Sequence, residues 1–220
     1  MLYKNLFPNV LIQGATPSLL KGIRSRVMTV LWLENAPWDA HLDLILVSSQ
    51  KMQSINHLTR GLCKPTDALT FSEVNETNQT INEILFSSTK RACTGNDDAQ
   101  APSPALLYTH AMKPDPLQAR RAIRDELVDL GTIYFCVEYI WHRTMRRPQK
   151  NLPLELYLEA ALVHALLHVL GYTHETDEAL WRMIRREKCL GYHLRSLQRK
   201  YPLDMPRFDA IEYMKAISHG

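Results

Sequence analysis

The chain reads as one domain in which helices and short strands are mixed. Three observations lead there. Apolar residues recur at helical spacing over 19–31; short apolar or β-branched runs stand at 42–47, 68–71 and 132–139; and an almost wholly apolar stretch over 154–170 ends at Gly171. With 220 residues, 45% hydrophobic and 22% charged, the composition suits a single domain carrying a sizeable insertion, long enough to bury a core without staples.

Taken in order, Thr16-Pro17-Ser18 offers a capping hydroxyl and a first-turn proline ahead of Leu19, Leu20, Ile23, Val27, Val30 and Leu31. This predicts an amphipathic helix to about Leu33. Residues 42–47 read as a strand, and the cap-like pair Ser48-Ser49 feeds a second helix through Met52 and Ile55 to about Leu58. Gly61 and Pro65 end that helix before a strand over 68–71, and 132–139 is predicted as another strand. The 154–170 stretch, apolar nearly all round, is a core helix. A final helix is expected from near Thr176, with Asp177 and Glu178 in its first turn and Arg185, Arg186 and Lys188 towards its end, as the helix dipole favours.

Residues 73–119 are rich in Asn, Asp, Gly and Pro and are expected to be a loop-like insertion; sequons at Asn75 and Asn78 are read as chance. The expected domain covers 1–200, and 201–220 reads as a C-terminal tail or a weakly packed helix. No apolar run approaches the ~20 residues that span a bilayer, so no membrane partner is expected. Cys63, Cys93, Cys136 and Cys189 are widely spaced, which fits neither a disulfide framework nor a zinc ribbon and suggests reduced thiols.

The chemistry sits on the core helix. His164 and His168, four residues apart, project from one face, and the stop at Gly171 lets His174 fold back towards them. Three neutral imidazoles leave one tetrahedral position open, the pattern of a catalytic zinc site; burying them without a common partner is costly. A metallopeptidase of the HExxH type needs a glutamate after the first histidine, where this chain has Ala165. Peptide hydrolysis by that route therefore lacks its base. A second cluster spans 56–71, where a helix end delivers Asn56 and Arg60 beside a turn. Arg60 either caps its helix as a dipole partner or, beside a metal, clamps a phosphodiester.

These segments resemble the YbeY family of endoribonucleases. Residues 56–71 are similar to its N-x-x-Y-R-x-x-x-x-P-T-D-V-L-S-F segment, and His164 to His174 to its metal motif. Leu130-Gly131-Thr132-Ile133 stands where the family has Leu-Gly-Asp-Ile, while 137–140 and 181–188 are similar to the animal mitochondrial member. Thr132, Thr59 and Thr173 depart from the family's aspartate, its tyrosine and the aspartate of bacterial members.

The resemblance implies an α+β, zincin-like domain with a small mixed sheet packed on helices, and one zinc per chain on His164, His168 and His174. It implies cleavage of single-stranded RNA in ribosomal RNA maturation and ribosome quality control, with Arg60 needed for activity. Ribosomal proteins are possible further partners; DNA is not expected. The competing reading is a ribosome-assembly protein that binds RNA and ribosomal proteins around a structural metal.

The net charge of +3 is too small to argue for nucleic acid, but seven Lys or Arg stand against Glu187 alone over 182–200, and His142, Arg143, Arg146, Arg147 and Lys150 form a second group. Trp181, Tyr192 and Tyr201 interleave with the first group and can stack bases, although core packing is the default for Trp181. The first 33 residues hold Lys4, Lys21, Arg24 and Arg26 and no acid, which leans to a mitochondrial address, with cytoplasmic or nuclear location as the alternative.

Overall fold

A computed structural model describes residues 7–72, 128–146 and 153–218. The predicted insertion at 73–119, Cys93, Arg147 and Lys150 lie outside these residues. The described chain runs β1 (Val10–Gln13), α1 (Pro17–Leu33), β2 (His41–Leu46), α2 (Ser49–Arg60), β3 (Ala68–Phe71), β4 (Asp129–Phe135), α3 (Val137–Arg146), α4 (Leu154–Val169), α5 (Asp177–Lys200) and α6 (Ala210–Ser218). It is a mixed α+β fold with a four-stranded sheet in the order β1-β2-β4-β3. β1, β2 and β4 are parallel, and β3 closes one edge antiparallel to β4, with Leu69 opposite Tyr134.

Alternation along β2 buries Leu42, Leu44 and Leu46 on one face, where they meet Ile133 and Phe135 of β4, Ile23, Val27 and Val30 of α1, and Leu162 and Leu166 of α4. On the opposite face Val47, Met52, Leu69 and Cys136 form a smaller core under α2, with Ile45, Tyr134 and Tyr139 at its border. The sheet therefore lies between α2 and a layer built on α1 and α4. Among the described residues no helix is long and apolar enough to cross a membrane. Cys63 and Cys136 are free thiols.

The predicted elements stand with these corrections. β1 has no counterpart in the sequence reading: it is four residues long with only Val10 buried, too little alternation to recognise. The strand expected over 132–139 ends at Phe135. Cys136 N–H donates to Asp67 O, which closes the sheet, and Ile140 N–H then donates to Cys136 O, which opens α3. Val137 and Ile140, three apart, bury one helical face, so packing overrides the strand preference of these side chains. Thr16 precedes α1 as expected, but its hydroxyl caps nothing; its carbonyl accepts from Leu20 instead. α5 continues to Lys200, so Arg185, Arg186 and Lys188 lie mid-helix. Residues 201–218 bring Met205, Ala210 and Tyr213 into the main core, more packing than a tail implies.

Candidate metal centre

α4 is buried nearly all round and carries His164 and His168 near its C-terminal end. Gly171, at φ 88°, takes the left-handed conformation that its sequence position calls for, and Tyr172 N–H donates back to Leu167 O. That reversal brings His174 beside the other two rings. One ligand nitrogen or more from each of His164, His168 and His174 falls within 4.8 Å of the others.

Each helix histidine has its second nitrogen occupied. His168 Nδ1 lies 3.0 Å from Tyr172 O, a carbonyl that can only accept, so this nitrogen carries the proton. His164 Nδ1 lies 2.6 Å from Glu187 Oε1, from mid-α5. In the neutral rings both Nε2 atoms are then unprotonated, and they face each other at 3.1 Å. Two lone pairs so placed repel unless a cation lies between them. Bonds of about 2.0–2.1 Å at a tetrahedral angle put two ligand nitrogens ~3.3 Å apart, so the donor set fits a divalent transition metal. Burial, and then the neighbouring His164, lower the pKa of His168, which keeps it neutral and able to coordinate at pH 7.

The ring-orienting contacts are themselves anchored. Tyr172 hydroxyl donates to Glu34 Oε2 at 3.0 Å at the end of α1, and Arg186 donates from Nε to Glu34 Oε1 and from Nη2 to Leu33 O. Burial and the Glu34 carboxylate push the Tyr172 phenol well above its ordinary pKa, so it remains a donor. Consecutive residues of α5 thus serve both rings: Glu187 touches His164, and Arg186 secures the Glu34–Tyr172 pair behind His168. Sequence reading missed Glu187, Tyr172 and Glu34. The available signal was Glu187 as the lone acid in a basic stretch.

A family model described as Endoribonuclease YbeY matches residues 13–195. The chain belongs to the YbeY family of endoribonucleases. An Endoribonuclease YbeY of Thermoanaerobacter sp. (strain X514) is 26% identical over 164 residues, covering 74% of this chain and 77% of the relative. The human Endoribonuclease YbeY is 26% identical over 149 residues, covering 68% of this chain and 65% of the relative. The solution structure of TM1509 from Thermotoga maritima aligns over 88% of this chain and 93% of its own, at 19% identity and a TM-score of 0.45.

The YbeY-like 56–71 segment forms the end of α2, a tied loop and β3. Gly61, at φ 70°, caps α2 and donates to His57 O. Asn56, buried, donates from Nδ2 to Lys64 O at 2.7 Å and so pins the loop; its role is structural. Asp67 accepts from Ala68 N–H and from the Tyr157 hydroxyl of α4, while at the other end of β3 Ser72 donates to Val169 O. β3 therefore lies along α4 and finishes at its histidine-bearing end. Arg60 is exposed and, among the described residues, makes no hydrogen bond or ion pair with the three imidazoles. Thr132 sits mid-sheet, opposite Asp43 of β2 and Phe71 of β3.

Proposed function

We propose that the protein is a zinc-dependent endoribonuclease that prefers single-stranded RNA and acts in ribosomal RNA maturation and ribosome quality control. The observation that carries this reading is the 3.1 Å approach of two Nε2 atoms whose rings' other nitrogens are already committed. His164, His168 and His174 would hold the zinc, which supplies Lewis-acid chemistry: activation of water near neutral pH and stabilisation of charge on a phosphodiester.

The protein's own contributions are specific. Glu187 and the Tyr172 carbonyl hold the rings in one tautomer and one orientation. Arg60 supplies a planar donor pair for the non-bridging phosphate oxygens as charge develops on them. Ribosomal RNA is the expected substrate, ribosomal proteins are further partners, and the acid-free, basic first 33 residues lean to a mitochondrial site of action.

Cleavage of an unstructured oligoribonucleotide by metal-stripped protein, titrated with zinc, tests the reading. Activity should appear with about one equivalent of zinc. RNA binding without cleavage at any zinc level would favour the ribosome-assembly alternative.

A further inference from the structure

We propose that the outer ridge of α5 is the track along which single-stranded RNA approaches the histidine cluster. Trp181, Arg185, Lys188, Tyr192 and Arg199 are separated by four, three, four and seven residues, which places them on one helical stripe. All five are exposed, and the rings of Trp181 and Tyr192 conspicuously so at 60% and 55%. The expectation that Trp181 packs in the core is therefore wrong. Among the described residues Arg185, Lys188 and Arg199 form no ion pair; the exposed i,i+4 pair of this helix joins Arg182 to Glu178 on another stripe.

An indole and a phenol held in water with unpaired cations between them do nothing for the core, which α5 reaches through Met183, Leu190 and Leu194. They suit a ligand with flat apolar faces and a negative backbone. Base–aromatic stacking with cations along the backbone is how single strands are bound without sequence readout. The two rings stand eleven residues apart, about 16 Å along the helix, the reach of a few nucleotides. A protein partner would ask for aliphatic cover between the rings, where this ridge has Arg185 and Lys188.

The stripe also starts in the right place. α5 begins three residues after His174, its first turn capped by the Thr176 hydroxyl accepting from Ala179 N–H. Glu187, about a third of a turn from the stripe, touches His164. The inference rests on the RNA-cleaving reading for its ligand, not for its geometry.

The test uses the zinc-loaded full chain and a fluorescein-labelled oligouridylate. Trp181→Ala and Tyr192→Ala should each weaken binding roughly tenfold, with Trp181→Phe restoring most of the loss because a ring remains. The triple variant Arg185→Gln/Lys188→Gln/Arg199→Gln should flatten the slope of log affinity against log salt by about two. Lys21→Gln, exposed on α1, should leave both unchanged. Thermal melting checks that each surface variant is folded. Wild-type affinity and slope in all the ridge variants would overturn the proposal, as would intact RNA binding with loss of binding to ribosomal proteins. If wild type binds the oligouridylate, the ridge variants bind it weakly and none cleaves it, the ridge stands and the endoribonuclease reading falls.

Discussion

The two ends of α4 handle buried polar groups in opposite ways. Near its N-terminal end Glu159 is buried against Arg26, whose side chain is wholly enclosed, and Arg195 reaches the same carboxylate from α5. Arg26 also donates to Gly22 O and Pro206 O, lies 3.6 Å from Glu155 and stacks 4.1 Å over the Phe208 ring. Burial raises the Glu159 pKa and lowers that of Arg26 even so, since desolvation outweighs the pairing on both sides. At the C-terminal end the Nε2 atoms of His164 and His168 face each other at 3.1 Å. Charge answered by opposite charge holds α1, α4, α5 and the 201–218 segment together, although Arg26 Nη2 makes no hydrogen bond; two facing acceptor nitrogens cannot answer each other in that way. Burial alone does not separate scaffold from site; opposite charges paired at one end and like acceptors facing at the other do.

Removing one member at each end should break the two in different ways. His168→Ala should abolish stoichiometric metal binding and RNA cleavage while metal-free melting changes little, because two histidines do not complete a three-ligand site. Arg26→Ala should leave the histidines in place but take from the buried Glu159 its enclosed partner and leave it only the part-exposed Arg195, destabilising the fold by about 3–5 kcal/mol. For a chain of this length that is a fall in melting temperature of roughly 10 °C. Calorimetry of metal-free protein and metal analysis of both variants check the pair. Equal loss of stability in the two would erase the distinction.

How much of this contrast the sequence reveals depends on separation along the chain. His164 and His168 are legible because four residues make one helical turn, and His174 because glycine alone comfortably stops the helix at φ 88°. The Arg26 cluster is not. Its partner Glu159 lies 133 residues away, so Arg26 reads as one more basic residue of an acid-free N-terminal stretch. The same holds for Glu187, 23 residues from the ring it touches. α3 escapes for a different reason: Val137, Tyr139 and Ile140 prefer strands locally, and only their packing shows the helix.

Arg60→Lys sharpens the contrast from outside α4. Arg60 has no partner among the described residues, so it belongs with the unanswered groups. Lysine keeps the charge and loses the planar fork, and removing a comparable transition-state donor costs roughly 10² to 10³ in rate. Single-turnover cleavage by metal-matched wild type and variant measures it. If Arg60 is only a dipole partner for α2, either cation serves and the rates should be equal.

The smallest expected effect falls on the residue that joins the two regimes. Glu187 is a carboxylate like Glu159, but its partner among the described residues is a ring whose far nitrogen faces His168 Nε2. If it orients His164 and strengthens it as a donor, Glu187→Ala should weaken metal binding about 10- to 100-fold, the usual cost of losing a group behind a ligand. Glu187→Gln should fall between the two, since an amide oxygen still accepts from Nδ1–H but brings no charge. If Glu187 is merely a surface ion-pair partner, both substitutions should leave metal affinity unchanged and shift metal-free stability by about 1 kcal/mol or less. Competition against a chelator gives the affinity, and melting of the stripped protein gives the stability. An affinity that falls from Glu to Gln to Ala while stability stays level makes Glu187 part of the centre, whereas the reverse returns it to the scaffold with Glu159.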